Sequence, residues 1–312
     1  MEAKSMETAK RVIFFTIGAV CLLPFVQPPV ALAAGFLVSL LLGNPFKKYT
    51  GKITKYLLQA SVVGLGFGMN IHDAFEVGKE GLLLTVCSIS FTLLLGLLLG
   101  KLFKVSRNTG LLVSSGTAIC GGSAIAAVAP IINASEEETS VSLGTIFILN
   151  SLALFIFPVI GELLKMTQEQ FGLWAAIAIH DTSSVVGAAQ KYGDAALQIA
   201  TTVKLERALW IIPLSFVISL FIRQSKKKIA IPYFIFLYVA AMLVNTFVPH
   251  INVVSHTIVL LAKRGLTLTL FLIGASLTLK ALKTIGVKPL LQGVLLWIAI
   301  SVCSLCVILN LG

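Results

Sequence analysis

The sequence predicts an all-α, polytopic membrane protein. Of the 312 residues, 57% are hydrophobic and only 12% are charged, and the mean hydropathy is +0.97. Soluble domains carry about 25% charged residues. The apolar residues are grouped in runs of about 20, the length that a helix needs to cross a hydrocarbon core of ~30 Å. Because lipid offers no hydrogen bonds to the backbone, such runs are expected to be helical.

We expect about eleven transmembrane segments, with interrupted helices and inverted repeats among them. The apolar runs cover residues 12–27, 29–43, 56–70, 81–100, 108–133, 139–164, 171–190, 196–222, 230–249, 256–279 and 289–310. The division at Pro28-Pro29 and the short seventh run are the least certain parts of this count. A single integral membrane domain would then span residues 1–312.

The basic residues between the runs predict the orientation of the chain. With the N-terminus in the cytoplasm, one side carries most of them, namely Lys4, Lys10, Arg11, Lys47, Lys48, Lys52, Lys55, Lys101, Lys104, Arg107, Lys165, Arg223, Lys226, Lys227, Lys228, Lys280, Lys283 and Lys288. The opposite side keeps Lys79, Lys191, Lys263 and Arg264, beside the acidic residues 136–138. This asymmetry follows the positive-inside rule.

Two distant segments of the chain resemble each other. Lys55–Leu83 aligns without gaps on Lys263–Leu291, so that Gly66 meets Gly274 and Gly78 meets Gly286. In the predicted topology the two copies run in opposite directions across the membrane. Inverted repeats of this kind are typical of secondary transporters.

Two apolar runs are interrupted by small and polar residues, and these contain most of the candidate substrate-binding residues. In the run 108–133 they are Ser115, Thr117, Cys120, Gly121, Gly122 and Ser123, and in the run 171–190 they are Thr182, Ser183 and Ser184. Broken membrane helices place free N–H groups toward anionic substrates. The alternative is that the small residues serve close helix packing.

The two interruptions also resemble each other, since residues 118–124 match residues 178–184 in their pattern of small and polar residues. In the predicted topology the two runs point the same way, which a simple inverted repeat does not explain. Either the run 171–190 is re-entrant or the two interruptions share a use without a common origin, and the sequence leaves both open.

Four of the charged residues inside apolar runs are candidates for a functional role: Asp181, Lys204, Glu206 and Arg207. Charges at membrane depth are costly and are mostly functional. Lys204 and Arg207, three residues apart, share a helix face on which they could neutralise a divalent oxyanion. The alternative is a structural ion pair between one of these cations and Asp181.

Asp181 is also a candidate for coupling to H⁺ or Na⁺. A carboxylate beside an anion site repels the substrate unless it is protonated or holds a cation, and Asp181 could in addition cap a helix that continues through residues 185–187. The neighbouring His180 titrates near neutrality when unperturbed and is the second coupling candidate.

Other function classes lack their residues in this sequence. It contains no metal-ligand cluster, no phosphate-binding Gly-Lys-Ser/Thr loop and no nucleophile–base pair. We therefore expect neither an enzyme nor an ATP-driven pump, and we expect no metal or other cofactor. The net charge of +11 is spread over short loops between apolar runs, so it does not predict nucleic-acid binding.

The motif at residues 115–127, Ser-Gly-Thr-Ala-Ile-Cys-Gly-Gly-Ser-Ala-Ile-Ala-Ala, resembles the signature of the YeiH family of sulfate exporters. The glycines of residues 64–68, the segment 180–189 and the segment 204–207 look like the same family. This resemblance covers nearly the whole chain. It implies a bacterial inner-membrane protein, distantly similar to bile-acid/sodium symporters, with two inverted repeats and crossed broken helices.

Together these observations predict a secondary transporter that exports a small sulfur-containing oxyanion (sulfate, sulfite or a sulfonate). Its partners would be that anion, H⁺ or Na⁺ as the coupling ion, and the lipid bilayer. A Na⁺-coupled importer of organic anions is the alternative within transport, and a membrane receptor is the alternative outside it. The sequence leaves open whether the protein is a homodimer.

Overall fold

The computed structural model describes residues 2–221, 233–248, 251–276 and 286–311. Every regular element in these ranges is helical, which confirms the all-α prediction. The basic residues Arg223, Lys226, Lys227, Lys228, Lys280 and Lys283, which entered the orientation argument, lie outside the described residues. The same is true of residues 277–285 in the second copy of the predicted repeat.

The described ranges contain fourteen α-helices and one short 3₁₀ turn, Gly66–Gly68. The first seven helices are α1 (Glu2–Val20), α2 (Pro28–Leu41), α3 (Lys47–Leu65), α4 (Ile71–Leu102), α5 (Arg107–Ala118), α6 (Gly122–Val128) and α7 (Glu136–Leu163). The others are α8 (Gln168–Ala178), α9 (Thr182–Tyr192), α10 (Asp194–Leu209), α11 (Ile211–Phe221), α12 (Tyr233–Phe247), α13 (Asn252–Ser276) and α14 (Val287–Leu311).

Each of the eleven apolar runs overlaps one of these helices or a consecutive pair of them. Within the described ranges, four uninterrupted stretches are long and apolar enough to cross a membrane: Gly81–Leu102, Glu136–Leu163, Val254–Ser276 and Val287–Asn310. The remaining runs hold helices that are shorter, more polar or broken in the middle. The count of eleven spans therefore stays a prediction.

The chain folds as two compact units. The first comprises Met1–Ile71 and Phe234–Leu282, and the second comprises His72–Tyr233 and Lys283–Gly312. That both units work as one transporter domain stays a prediction.

In the first unit, glycines allow helix backbones to approach closely. The backbone of α13 lies so near α2 that a Cβ atom on Gly274 would overlap the carbonyl oxygen of Leu32. Gly66, which the repeat alignment matches with Gly274, has the carbonyl oxygen of Tyr238 2.7 Å from the place where its Cβ would lie. Both aligned glycines thus lie at close contacts between helices, as small residues do in membrane bundles.

The second unit contains two broken helices. The first is interrupted between Ala118 at the end of α5 and Gly122 at the start of α6. The second is interrupted between Ala178 at the end of α8 and Thr182 at the start of α9. The similarity between residues 118–124 and 178–184 therefore marks the same structural event in both helices: one helix ends, three residues intervene, and a new helix begins.

Two further helices of this unit hold the broken pair in place. Helix α10 packs against α8 and α9, and α7 packs against α5 and α9. Side chains on α7 and α10 consequently reach the interruptions of both broken helices.

Candidate functional site

The interruptions of the two broken helices touch each other, and we call residues 119–121 and 179–181 together the double break. Gly121 has φ +62° and ψ −121°, a backbone conformation that is essentially limited to glycine. A Cβ atom on Gly121 would lie 3.4 Å from both Cα and Cβ of Asp181 and 3.3 Å from Cγ2 of Ile146. The glycine therefore allows both the turn and the close approach of the second interruption.

Lys204, on α10, lies at the C-terminal end of the half-helix α8. Its Nζ donates hydrogen bonds to the carbonyl oxygens of Ala176, at 3.2 Å, and Ile179, at 2.7 Å. The last carbonyls of a helix have no partner within the helix and carry its negative partial charge. Lys204 satisfies both needs at a position that is closed to solvent.

Arg207, one turn further along α10, lies at the corresponding end of the half-helix α5. One terminal nitrogen of its guanidinium group donates to the carbonyl oxygen of Ala118, and the other donates to Oγ of Ser88 on α4 at 2.7 Å. The two cations on one face of α10 thus cap the C-terminal ends of the half-helices α8 and α5, where the two broken helices are interrupted.

Neither cation uses all of its donors. A lysine ammonium has three N–H donors and an arginine guanidinium has five, and two of each are engaged. Nε of Arg207 is among those without an acceptor. Both side chains are fully buried at 0% exposure, so the unused donors lie in a region without solvent.

The structure does not show the ion pair between Asp181 and a cation of α10. Among the described residues, no carboxylate oxygen lies within 4.0 Å of Lys204 or Arg207. Instead, Asp181 caps α9, as the sequence suggested: its Oδ2 accepts hydrogen bonds from the backbone N–H of Ser183, at 3.1 Å, and from the Ser183 hydroxyl. Asp181 is half-buried and is near enough to act on Lys204 through space.

Asn150, on α7, is a site residue that the sequence analysis missed. Its Oδ1 accepts hydrogen bonds from the backbone N–H groups of His180, at 3.0 Å, and Asp181, at 3.3 Å, while its Nδ2 is buried without an acceptor. A single amide within the apolar run 139–164 was the available signal, since buried amides in membrane helices need partners just as charges do.

Several polar side chains at or near the double break are buried and have no hydrogen-bond partner among the described residues. They are the hydroxyls of Ser115 and Thr117 on α5 and both ring nitrogens of His180, all at 0% exposure. Buried polar groups are nearly always hydrogen-bonded, and each exception calls for an explanation such as a ligand or water. His180 lies near both buried cations, and the two hydroxyls lie in the last turn of the half-helix that Arg207 caps, which together indicate a polar binding site.

The structure gathers most of the other predicted site residues at the same place. Cys120 is buried within the first interruption. The side chains of Thr182, Ser183 and Ser184 are buried in the first turn of α9, and Gly122 is the first residue of α6. Ser123 is exposed.

Fold and site together define an all-helical membrane protein with a polar centre built where two broken helices meet. Residues 26–293 match the family described as conserved hypothetical protein 698, and the chain belongs to that family. This confirms the resemblance that the motif at residues 115–127 indicated.

Similar proteins carry the name UPF0324 membrane protein. One from Bacteroides thetaiotaomicron is 56% identical over 286 residues, which cover 90% of this chain and 86% of the relative. One from Bdellovibrio bacteriovorus is 50% identical over 315 residues, covering 98% and 97% respectively. One from Photobacterium profundum is 52% identical over 297 residues, covering 95% and 91%. No solved structure matches the chain significantly.

Proposed function

We propose that this protein is a secondary active transporter that exports a small sulfur-containing oxyanion (sulfate, sulfite or a sulfonate). One observation carries the proposal: Lys204 and Arg207 are fully buried, have unused donors, and lack a carboxylate within ion-pair distance in the described part of the chain. An isolated buried charge is strongly unfavourable. An anion that accepts the remaining N–H donors would remove this penalty.

The charge distribution supports an anion rather than a cation as substrate. Both cations are closed to solvent, whereas Asp181 is partly exposed. The carbonyl oxygens at the ends of α5 and α8 are already engaged by the cations. The hydrogen-bonding capacity that the two cations leave unused consists of donors, which oxyanions accept.

The unused donors favour a small oxyanion. In the described residues they are Nε of Arg207, the third N–H of the Lys204 ammonium and the hydroxyls of Ser115 and Thr117. Each can donate to an oxygen of one anion, and the two cations together supply two positive charges. Sulfate and sulfite offer three or four oxygens around one sulfur atom, and a sulfonate offers three.

Broken helices that meet at their interruptions support transport rather than reception or catalysis. Transporters use such pairs to place backbone ends and polar side chains at the bilayer midplane, where access alternates between the two sides. We accordingly keep the finer parts of the proposal: about eleven spans with inverted repeats, a cytoplasmic N-terminus and a bacterial inner membrane. A homodimer remains the oligomer to be tested.

Transport in proteoliposomes tests the proposal. Vesicles loaded with radiolabelled sulfate, sulfite or taurine are expected to lose label faster with the wild-type protein than without it. Lys204→Gln, which can still donate to a carbonyl but lacks the charge, is expected to lose at least about 90% of this rate, a barrier change of ~1.4 kcal/mol. The matched control, Lys101→Gln, changes an exposed lysine at the end of α4 and should leave the rate unchanged. Equal rates for both variants would contradict an anion site at Lys204.

The coupling role proposed for Asp181 and His180 has a separate test. Asp181→Asn keeps one acceptor for the Ser183 N–H and removes the negative charge. If Asp181 holds Na⁺, the wild-type rate should depend on sodium and the variant's rate should not. The His180→Gln variant, compared over the pH range in which histidine titrates, tests the imidazole in the same assay. A wild-type rate indifferent to both sodium and pH, with unchanged variants, would leave Asp181 as a helix cap only. Sodium-driven uptake instead of efflux would favour the importer of organic anions.

A further inference from the structure

Glu206 is a buried acidic group that the proposed anion site does not use. It lies on α10 beside α4. Its Oε2 is 3.6 Å from the position that a Cβ atom on Gly81 of α4 would occupy. The residue as a whole is partly exposed, but both carboxyl oxygens are out of contact with solvent. Neither oxygen has a hydrogen-bond partner in the part of the chain that the structure describes.

Arg207 is a charged group close to Glu206. The helices around α10 also carry Lys79, Glu169, Asp181 and Lys191, and among the described residues neither of these lysines lies within 4.0 Å of a Glu206 carboxyl oxygen. Trp210, directly after the end of α10, has its indole N–H near the carboxyl group but does not form a hydrogen bond with it.

A carboxyl group in this position has two ways to avoid an uncompensated buried charge. It can be paired, or it can bind a proton and become neutral. Arg207 does not pair with it: among the described residues, no nitrogen of Arg207 lies within 4.0 Å of a Glu206 carboxyl oxygen. The surroundings of the Glu206 carboxyl group therefore favour its neutral, protonated form.

We propose that Glu206 binds the proton that accompanies the anion; this inference rests on the proposed function and assigns to Glu206 the coupling proton for which Asp181 and His180 are the other candidates. Ionised Glu206 competes with the anion for the positive potential of Arg207, and protonated Glu206 does not. Anion and proton therefore bind cooperatively. Because linkage is reciprocal, the anion increases the proton affinity of Glu206 by the same factor by which the proton increases the anion affinity.

This coupling is compatible with export. One proton bound with a divalent oxyanion leaves one net negative charge on the translocated pair. A membrane potential that is negative inside the cell drives negative charge outward, by about 2.3 kcal/mol per charge for each 100 mV. The proton thus lowers the charge that crosses the membrane without reversing the direction in which the potential acts.

Isothermal titration calorimetry of the purified protein with sulfite and with sulfate tests the proposal. In buffers of different ionisation enthalpy, the wild-type protein should take up about one proton per bound anion above the midpoint of Glu206. Its affinity should fall by about tenfold for each pH unit there. Glu206→Gln, which is permanently neutral, should bind the anion with the affinity of the low-pH wild type, independently of pH and without proton uptake. Glu206→Asp should retain the uptake.

The controls separate the two proposals. Glu162→Gln, at an exposed carboxyl group near the end of α7, should behave as the wild type. If Glu206→Gln keeps the pH dependence and the proton uptake, or if Asp181→Asn loses them instead, Glu206 is not the proton site although the anion site stands. If neither anion binds to the wild type at any pH, the proposed function fails. In that case, infrared spectroscopy still tests the protonation of Glu206. A C=O band of a protonated carboxyl group that is present in Glu162→Gln and absent in Glu206→Gln would support a proton on Glu206. A band that is present in both variants would contradict it.

Discussion

Gly121→Ala is expected to destabilise the protein by about 1–3 kcal/mol and to abolish anion binding. At φ +62° and ψ −121° a Cβ atom collides with the residue's own backbone, and strain of this kind costs about that much per residue. The new methyl group would also press on Asp181 and Ile146 at 3.3–3.4 Å. Relief of this strain would separate the two interruptions. Thermal unfolding and calorimetric anion titration measure the two effects.

Gly122→Ala is the matched control for this prediction. Gly122 is the neighbouring glycine, has no left-handed backbone conformation, and offers a Cβ ordinary contacts of 3.4 Å with Leu143 and Phe147. Alanine also favours a helix over glycine by about 1 kcal/mol, so this variant should be as stable as the wild type or more so. If both variants behaved alike, the special conformation of Gly121 would not be what holds the double break together.

Arg207→Gln is expected to weaken anion binding by about 2–5 kcal/mol, which is about 30-fold or more, and to stop transport. The shorter amide can reach neither Ser88 nor the carbonyl oxygen of Ala118 in the way the guanidinium does. It also removes one of the two positive charges. Arg207→Lys keeps the positive charge but loses the planar guanidinium group. Its anion affinity should lie between those of the wild type and Arg207→Gln. Anion affinity by calorimetry and efflux from proteoliposomes are the measurements.

A double-mutant cycle with Lys204→Gln separates a shared ligand from two independent helix caps. If both cations hold one anion, the second substitution should cost less than the first, with a coupling energy above about 0.5 kcal/mol. Additive losses would assign the cations to their separate helices α8 and α5. Arg107→Gln, at an exposed arginine in the first turn of α5, should leave anion affinity as it is.

Composition and pattern alone were sufficient for much of the architecture. The apolar runs predicted the helices because their length and hydropathy reflect the bilayer, a solvent that acts on each segment separately. The interruptions were equally visible, since the match of residues 118–124 with residues 178–184 locates both helix stops and both new starts. The helix cap at Asp181 is likewise a local feature, formed within three residues.

The partners of the buried charges were decided by the tertiary structure. Lys204 and Arg207 were visible as charges within an apolar run, but the carbonyl groups that they bind belong to Ala176, Ile179 and Ala118, between 25 and 89 residues away along the chain. The ion pair with Asp181 was the alternative, and the packing of α10 against the broken helices directs both cations to backbone carbonyl groups instead.

The contact between Gly121 and Asp181, the acceptor role of Asn150 and the enclosure of the Glu206 carboxyl group have the same origin. Each depends on which surfaces of distant helices meet. Apolar helix faces resemble one another in sequence, so the sequence does not show which face packs against which. The sequence by itself therefore determined which segments are apolar and helical, where two of them break and which charged residues lie within them. The tertiary structure decided what those charges face, because a hydrogen bond at membrane depth is defined by the position of its partner and not by the order of residues in the chain.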